Sequence, residues 1–107
     1  MKVAIPCREG RLSNFMSKFE EIIIFDVENT KIKGEKKESY SGKINELPKW
    51  LSKRGVEIVI GGGNGRHLVD LFEKSGISMI YGAPNLSPEV VLKQYLLDVK
   101  ETGIKLK

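Results

Sequence analysis

The sequence predicts an α/β domain built on a mixed sheet. Short apolar runs bounded by turn residues recur at Val3–Ile5, Ile22–Val27, Val56–Ile60 and Ile77–Tyr81, too short for helices and rich in β-branched residues. Helical periodicity begins only after Ser41, and from there strands and helices alternate, which calls for parallel strands joined by right-handed crossovers. The polar run Lys31–Tyr40 directly follows an apolar one across Glu28-Asn29-Thr30, so residues 20–40 form a hairpin and add antiparallel pairing.

Val3–Ile5 is a strand stopped by Pro6, and the turn-rich stretch Arg8–Asn14 follows. Ile22–Val27 is apolar at almost every position, as expected of a strand covered on both faces. Lys31–Tyr40 carries four lysines and suits a sheet edge, where charge discourages pairing with other chains. Ile44, Leu47 and Leu51 make one helical face, and Pro48 confines the start of that helix to about Asn45 or Glu46, since proline is tolerated only in a first turn. Gly55 ends it. Val56–Ile60 runs into Gly61-Gly62-Gly63-Asn64-Gly65, and a helix carrying Leu68, Leu71 and Phe72 opens directly behind. Ser87-Pro88-Glu89 is a helix start with serine as N-cap, proline at N1 and an acid in the first turn. Val91, Leu92, Tyr95, Leu96 and Val99 supply that helix's buried face, and Gly103 stops it. There is no internal repeat, low-complexity stretch or linker, so residues 1–107 read as one domain with a tail from about residue 101.

Hydrophobic residues are 40% of the chain and charged residues 30%, a globular balance. The first apolar run is too short for a secretory signal, and no stretch approaches the roughly 20 apolar residues of a membrane span, so a cytoplasmic protein with no membrane partner is expected. Net charge is +4, which favours anionic partners. Nucleic acid is not expected among them. The lysines of 31–37 are interleaved with glutamates, and the aromatics sit in apolar runs rather than on a basic face where bases could stack.

The glycine run is the candidate binding corner. A strand that passes through glycines into a helix presents free backbone N–H groups at the positive helix end, and ligands in α/β sheets collect beyond the carboxyl ends of parallel strands. Nucleotide motifs are missing. Gly65 is followed by Arg66-His67 rather than the Lys-Ser/Thr of a Walker A loop, and Leu68 stands where a dinucleotide fingerprint needs its third glycine. The alternative account of the run is a tight strand-to-helix turn.

Taken together, the chain resembles the dinitrogenase iron–molybdenum cofactor biosynthesis family, small domains related to proteins that bind or carry iron–sulfur cofactor precursors for nitrogenase. The resemblance rests on Lys2-Val-Ala-Ile-Pro6, on Phe25-Asp26-Val27-Glu28 with Lys31-Ile32, and on Leu51 with Arg54-Gly55-Val56. It continues through Ile58–Gly65, Leu71-Phe72-Glu73 and Ser75-Gly76-Ile77, spanning about residues 2–100. It implies a ribonuclease-H-like three-layer fold with a mixed five-stranded sheet and flanking helices. In function it implies a non-enzymatic carrier of an iron–sulfur or iron–molybdenum cofactor precursor, with donor or recipient proteins as partners. One stretch departs. The family commonly has Ser, any residue, His, Phe, Gly after the first strand, with the histidine as the metal or cofactor contact; here Leu12-Ser13-Asn14-Phe15-Met16 places Asn14 at the histidine and Met16 at the glycine. An amide oxygen is a hard donor and a poor substitute for imidazole at iron.

The candidate set is therefore Cys7 and His67 as metal ligands, Met16 as a weaker soft donor, and Arg8, Asn14, Gly62, Gly63, Asn64, Gly65 and Arg66 as the cofactor-binding wall. Cys7 directly follows Pro6 at the carboxyl end of the first strand, and Arg8 beside it would favour the thiolate, the preferred ligand of iron–sulfur clusters. Arg8, Arg11 and Arg66 would make the corner electropositive. No Ser-His-Asp set, CxxC, HExxH or pair of acids in apolar surroundings is present, so no enzyme is expected and no catalytic residue is assigned. A phosphate- or nucleotide-binding module at the same corner is the alternative, or a protein-interaction module using the 31–40 edge. A monomer or weak homodimer is expected.

Overall fold

The computed structural model describes residues 1–14, 18–63 and 65–102, with side chains through residue 99. The Ile22–Val27 run forms β3 (Glu21–Glu28), with β1 (Lys2–Arg8) on one side and β4 (Lys31–Ser39) on the other, both antiparallel to it. β5 (Val56–Gly62) lies parallel to β1, and β6 (Ser78–Ala83) parallel to β5, giving the order β4-β3-β1-β5-β6. The sheet is mixed, as the hairpin followed by strand–helix alternation requires. It has six strands rather than five, because β2 (Arg11–Leu12) pairs with β1 at the end of the sheet.

Both hairpins turn on two residues at positive φ, Glu9 (55°) with Gly10 (77°) and Asn29 (52°) with Thr30 (63°). This is the type I′ pattern, whose twist matches that of the flanking strands. Pro6 does not stop β1. The β1–β5 ladder pairs only through Ala4–Val59, and the Pro6 carbonyl accepts from the Ser13 amide on that same side. A residue's N–H and C=O point to one side of a strand, so the donor that proline lacks faces where the parallel ladder has already ended.

A 3-10 turn at Ile44–Glu46 leads into α1 (Leu47–Ser52), with Pro48 in its first turn as expected. Behind the glycines comes a 3-10 turn, Arg66–Leu68, and only then α2 (Val69–Glu73) of 5 residues. The expected helix opening directly on the glycines is thus corrected; a helix this short sums few peptide dipoles toward an anion. α3 (Pro88–Thr102) begins as the sequence requires, with Ser87 Oγ accepting from the Val90 amide at 3.4 Å. The stop expected at Gly103 lies outside the described residues.

Period-2 alternation sends β1 residues to two cores. Ala4, with Ile22, Ile24 and Val59, packs against Leu47, Leu51 and Phe72 of α1 and α2. Val3 and Ile5, with Phe25, Ile58 and Ile60, pack under Val91, Leu92, Tyr95 and Leu96 of α3. The result is three layers, two short helices on one face and one long helix on the other. Beside α1, Phe19 stacks on Tyr40, Tyr40 meets Trp50 edge to face, and Arg54 lies 3.5 Å above the Trp50 ring while donating to Glu38 at 3.0 Å. Among the described residues no helix is long and apolar enough to cross a membrane.

Thr30 is β-branched at φ 63°, a conformation costing non-glycine residues about 1–2 kcal/mol. Thr30→Gly is expected to raise stability by about 1 kcal/mol, part of the relief being offset by glycine's freedom in the unfolded chain. Urea denaturation checks this; a lower midpoint would contradict the type I′ turn.

Candidate functional site

β1, β5 and β6 are parallel, so their carboxyl ends, Arg8, Gly62 and Ala83, lie at one end of the sheet. After β1 the chain moves toward β3 and β4; after β5 it moves toward β6. The point between β1 and β5 is therefore a topological switch point, where open α/β sheets hold ligands. Here the chain itself fills it. β2 and Ser13 enter between the two strand ends: the Ser13 amide donates to the Pro6 carbonyl at 2.9 Å, and the Ser13 carbonyl accepts from the Gly62 amide at 3.2 Å. Leu12 is fully buried beneath them.

This is why the corner is glycine. A Cβ on Gly62 would meet Leu12 Cδ2 and the Ser13 carbonyl, and one on Gly63, at φ 62°, would meet the Asn14 carbonyl oxygen. What approaches the glycines closely is backbone 13–14. The expected cradle of free N–H groups is corrected at Gly62, whose amide is already bonded. Asn64, Phe15 and Met16 lie outside the described residues. Gly65 is buried at the head of the 3-10 turn, its carbonyl accepting from the Leu68 amide at 2.9 Å.

The open surface is displaced to the outer side of this wedge. A groove of about 320 Å³ is lined by Arg8, Glu9, Arg11, Ser13, Asn14, Lys18 and Asn85. Three cations face one carboxylate, and among the described residues none of the three pairs with an acid. The walls are fixed by backbone. Ser13 Oγ donates to the Lys18 carbonyl at 2.6 Å, Asn85 Nδ2 donates to the Leu12 carbonyl at 2.5 Å, and the Leu12 amide donates to the Leu86 carbonyl at 2.8 Å. The loop after β6 is thus tied to the loop after β1.

The structure brings Arg8 and Asn14 together with Arg11 in this groove and sets Gly62 and Gly63 behind Asn14. Arg66 and His67 are exposed on the 3-10 turn and do not line it. Cys7 is elsewhere. β1 does adjoin β5, but the thiol points into the core under α3, is fully buried, and donates to the Ile5 carbonyl at 3.3 Å. Burial, reinforced by the Glu21 carboxylate and opposed by Lys37, pushes its pKa from 9.0 to about 12. The thiolate expected from Arg8 is therefore corrected to a protonated core thiol. Among the described residues no three of His, Cys, Asp and Glu are grouped to hold a metal ion. Lys18 and Asn85 were missed in the sequence; the signal for Asn85 was its place in the loop after a parallel strand.

A family model described as dinitrogenase iron-molybdenum cofactor matches residues 1–98. The solved structure of PH0822 superposes with a TM-score of 0.81 at 24% identity, covering 92% of this chain and 90% of that one. A Methanocaldococcus jannaschii protein named after dinitrogenase gives 0.73 at 18%, covering 92% and 89%. A Thermotoga protein named after NifB gives 0.61 at 20%, covering 95% and 88%. At these identities the likenesses carry the fold. No curated protein matches the chain.

Two outcomes check this geometry. Gly63→Ala should cost roughly 1 kcal/mol or more beyond Gly76→Ala in urea denaturation. Both residues sit at positive φ, but a Cβ on Gly76 meets nothing within 4 Å, so equal losses would deny the wedge contact. Cys7 has a folded pKa above its unfolded one, so its contribution is complete below pH 9 and is lost as pH rises toward about 12. Wild type should therefore lose stability across that window relative to Cys7→Ala, measured by denaturation at successive pH values; parallel curves would place the thiol in solvent.

Proposed function

The chain belongs to the dinitrogenase iron-molybdenum cofactor family, and from that premise we propose that it is a non-enzymatic carrier of an anionic metal–sulfur cargo. The observation that carries this reading is the groove at the carboxyl ends of the parallel strands, whose three cations pair with no acid among the described residues. Arg8 and Arg11 offer planar guanidinium forks and Lys18 a mobile point charge. Asn14 and Asn85 line the same groove with amides, which hydrogen-bond sulfide or oxide without ligating iron. The cargo is held by charge and hydrogen bonds to its outer atoms.

First-sphere ligation is not part of the reading. The thiol donor of the sequence, Cys7, is buried and protonated, and His67 lies off the groove. Exposed charges in water attract weakly and are screened by salt, so binding is shallow and reversible, which suits a cargo that must be handed to another protein. The same hard cations suit a phosphate-bearing anion, and competition separates the two.

The probe is tetrathiomolybdate, a stable metal–sulfur dianion, in anaerobic equilibrium dialysis at low salt. Arg11→Glu with Lys18→Glu should weaken binding by about tenfold or more, since reversal replaces attraction by repulsion. Cys7→Ala should change it by less than about threefold, roughly 0.6 kcal/mol. Loss of binding in a folded Cys7→Ala with retention in the charge-reversed protein would reverse the assignment. Full displacement by millimolar phosphate would favour the oxyanion.

A further inference from the structure

The β1–β2 turn sets two arginines against each other. Arg8 and Arg11 flank Glu9 and Gly10 and are direct partners in the antiparallel register. Directly opposed residues share one face of a sheet with Cβ atoms roughly 5 Å apart, where like charges are destabilising. Both side chains line the basic groove, and among the described residues neither pairs with an acid.

The turn adds a second unfavourable feature. A type I′ turn forms most readily with asparagine and glycine at its centre, because both tolerate positive φ. Glu9 stands there instead, at φ 55°. Its carboxylate lines the same groove without an ion pair to either arginine. Glu20 accepts from the Glu9 amide at 3.0 Å and pairs with neither arginine as well. Among the described residues the opposed cations therefore have no counter-charge from the chain. Residues held in sparsely populated backbone regions cluster at ligand clamps and active sites.

Two opposed forks fit an anion with two acceptor edges. Each guanidinium presents parallel N–H groups that match two oxygen or sulfur atoms on one centre. A planar carboxylate has one such edge and satisfies one fork. A tetrahedral ion has edges on opposite sides, so one ion serves both forks, and two negative charges balance both arginines. Lys18 lends charge to the groove but no fork, and Asn14 lends an amide. We infer that Arg8 and Arg11 form a two-pronged clamp for a tetrahedral dianion, and that this pair, not the total charge of the groove, sets its selectivity. The clamp rests on the carrier reading only in taking the groove as an anion site. A free oxyanion and a tetrahedral metal–sulfur unit offer the same two edges.

The test is an NMR titration of the full nitrogen-15-labelled chain with sodium sulfate at neutral pH, ionic strength being held constant with sodium chloride. The Nε–H signals of Arg8 and Arg11 should move together and saturate. Acetate, planar, and perchlorate, tetrahedral with a single charge, should not saturate them. Arg11→Lys keeps the charge and removes the fork, and should weaken sulfate binding about fivefold or more. Lys18→Gln removes a charge and leaves the clamp, and should cost less than about threefold. Both positions are exposed, so the variants keep the fold. Equal weakening by the two, or greater weakening by Lys18→Gln, overturns the clamp in favour of net charge. Saturation by acetate or perchlorate as strong as that by sulfate overturns it too. Tetrathiomolybdate separates the two readings. Its binding without sulfate binding overturns the clamp and leaves the carrier reading standing; sulfate at the arginines with tetrathiomolybdate excluded does the reverse.

Discussion

The crossing of Ser13–Asn14 over Gly62–Gly63 is the contact on which the carboxyl end of the parallel strands depends. β1 and β5 stop pairing beyond Ala4–Val59, and two strands that part leave backbone groups and apolar side chains facing nothing. The segment 11–13 supplies what is missing. Leu12 closes the gap as a fully buried side chain, a burial of roughly 2–3 kcal/mol. Ser13 bonds through its amide to β1 and through its carbonyl to β5, so two residues act as a strand between strands. A Cβ at either glycine would lift this segment, expose Leu12, and release the Asn85 and Leu86 bonds that anchor the loop after β6. One steric requirement thus holds three loops together.

That requirement also decides the chemistry left available. In an open switch point the backbone amides at the strand ends face a ligand directly. Here the innermost amide is spent on the chain, and the accessible groups are side chains on the outside of the wedge, cationic and exposed. Deep, geometry-specific recognition gives way to a rim of charge. Affinity from such a rim is governed by ionic strength, and selectivity by the charge and size of the anion rather than by coordination number.

Most of the fold was legible because local and global demands agreed. Asn29 at a left-handed position, Ser87-Pro88 at a helix start and the charged β4 edge each carry their reason in one or two residues. Pro6 misled because its cost depends on a tertiary fact, which side of β1 has lost its ladder. β2 was invisible because two residues have no period, although Glu9-Gly10 between Arg8 and Arg11 is a hairpin signal in itself. The glycine run was ambiguous for a deeper reason. A site without a Cβ admits a ligand or another backbone equally well, and sequence does not distinguish them. The burial of Cys7, by contrast, was there to be read: Val3, Ile5 and Cys7 alternate onto one apolar face.

The position of Cys7 gives the wedge its last consequence. The thiol lies in the core cluster that contains Leu12, while the cations lie on the wedge's outer side. Soft donor and positive field are separated by the segment that stabilises the fold. Bringing them to one ligand would require lifting Leu12 out of the core and ionising a thiol whose pKa stands near 12, both at the cost of folding free energy. A cargo held from outside incurs neither cost. The geometry that makes the glycines necessary is therefore the same geometry that keeps the thiol and the cations apart.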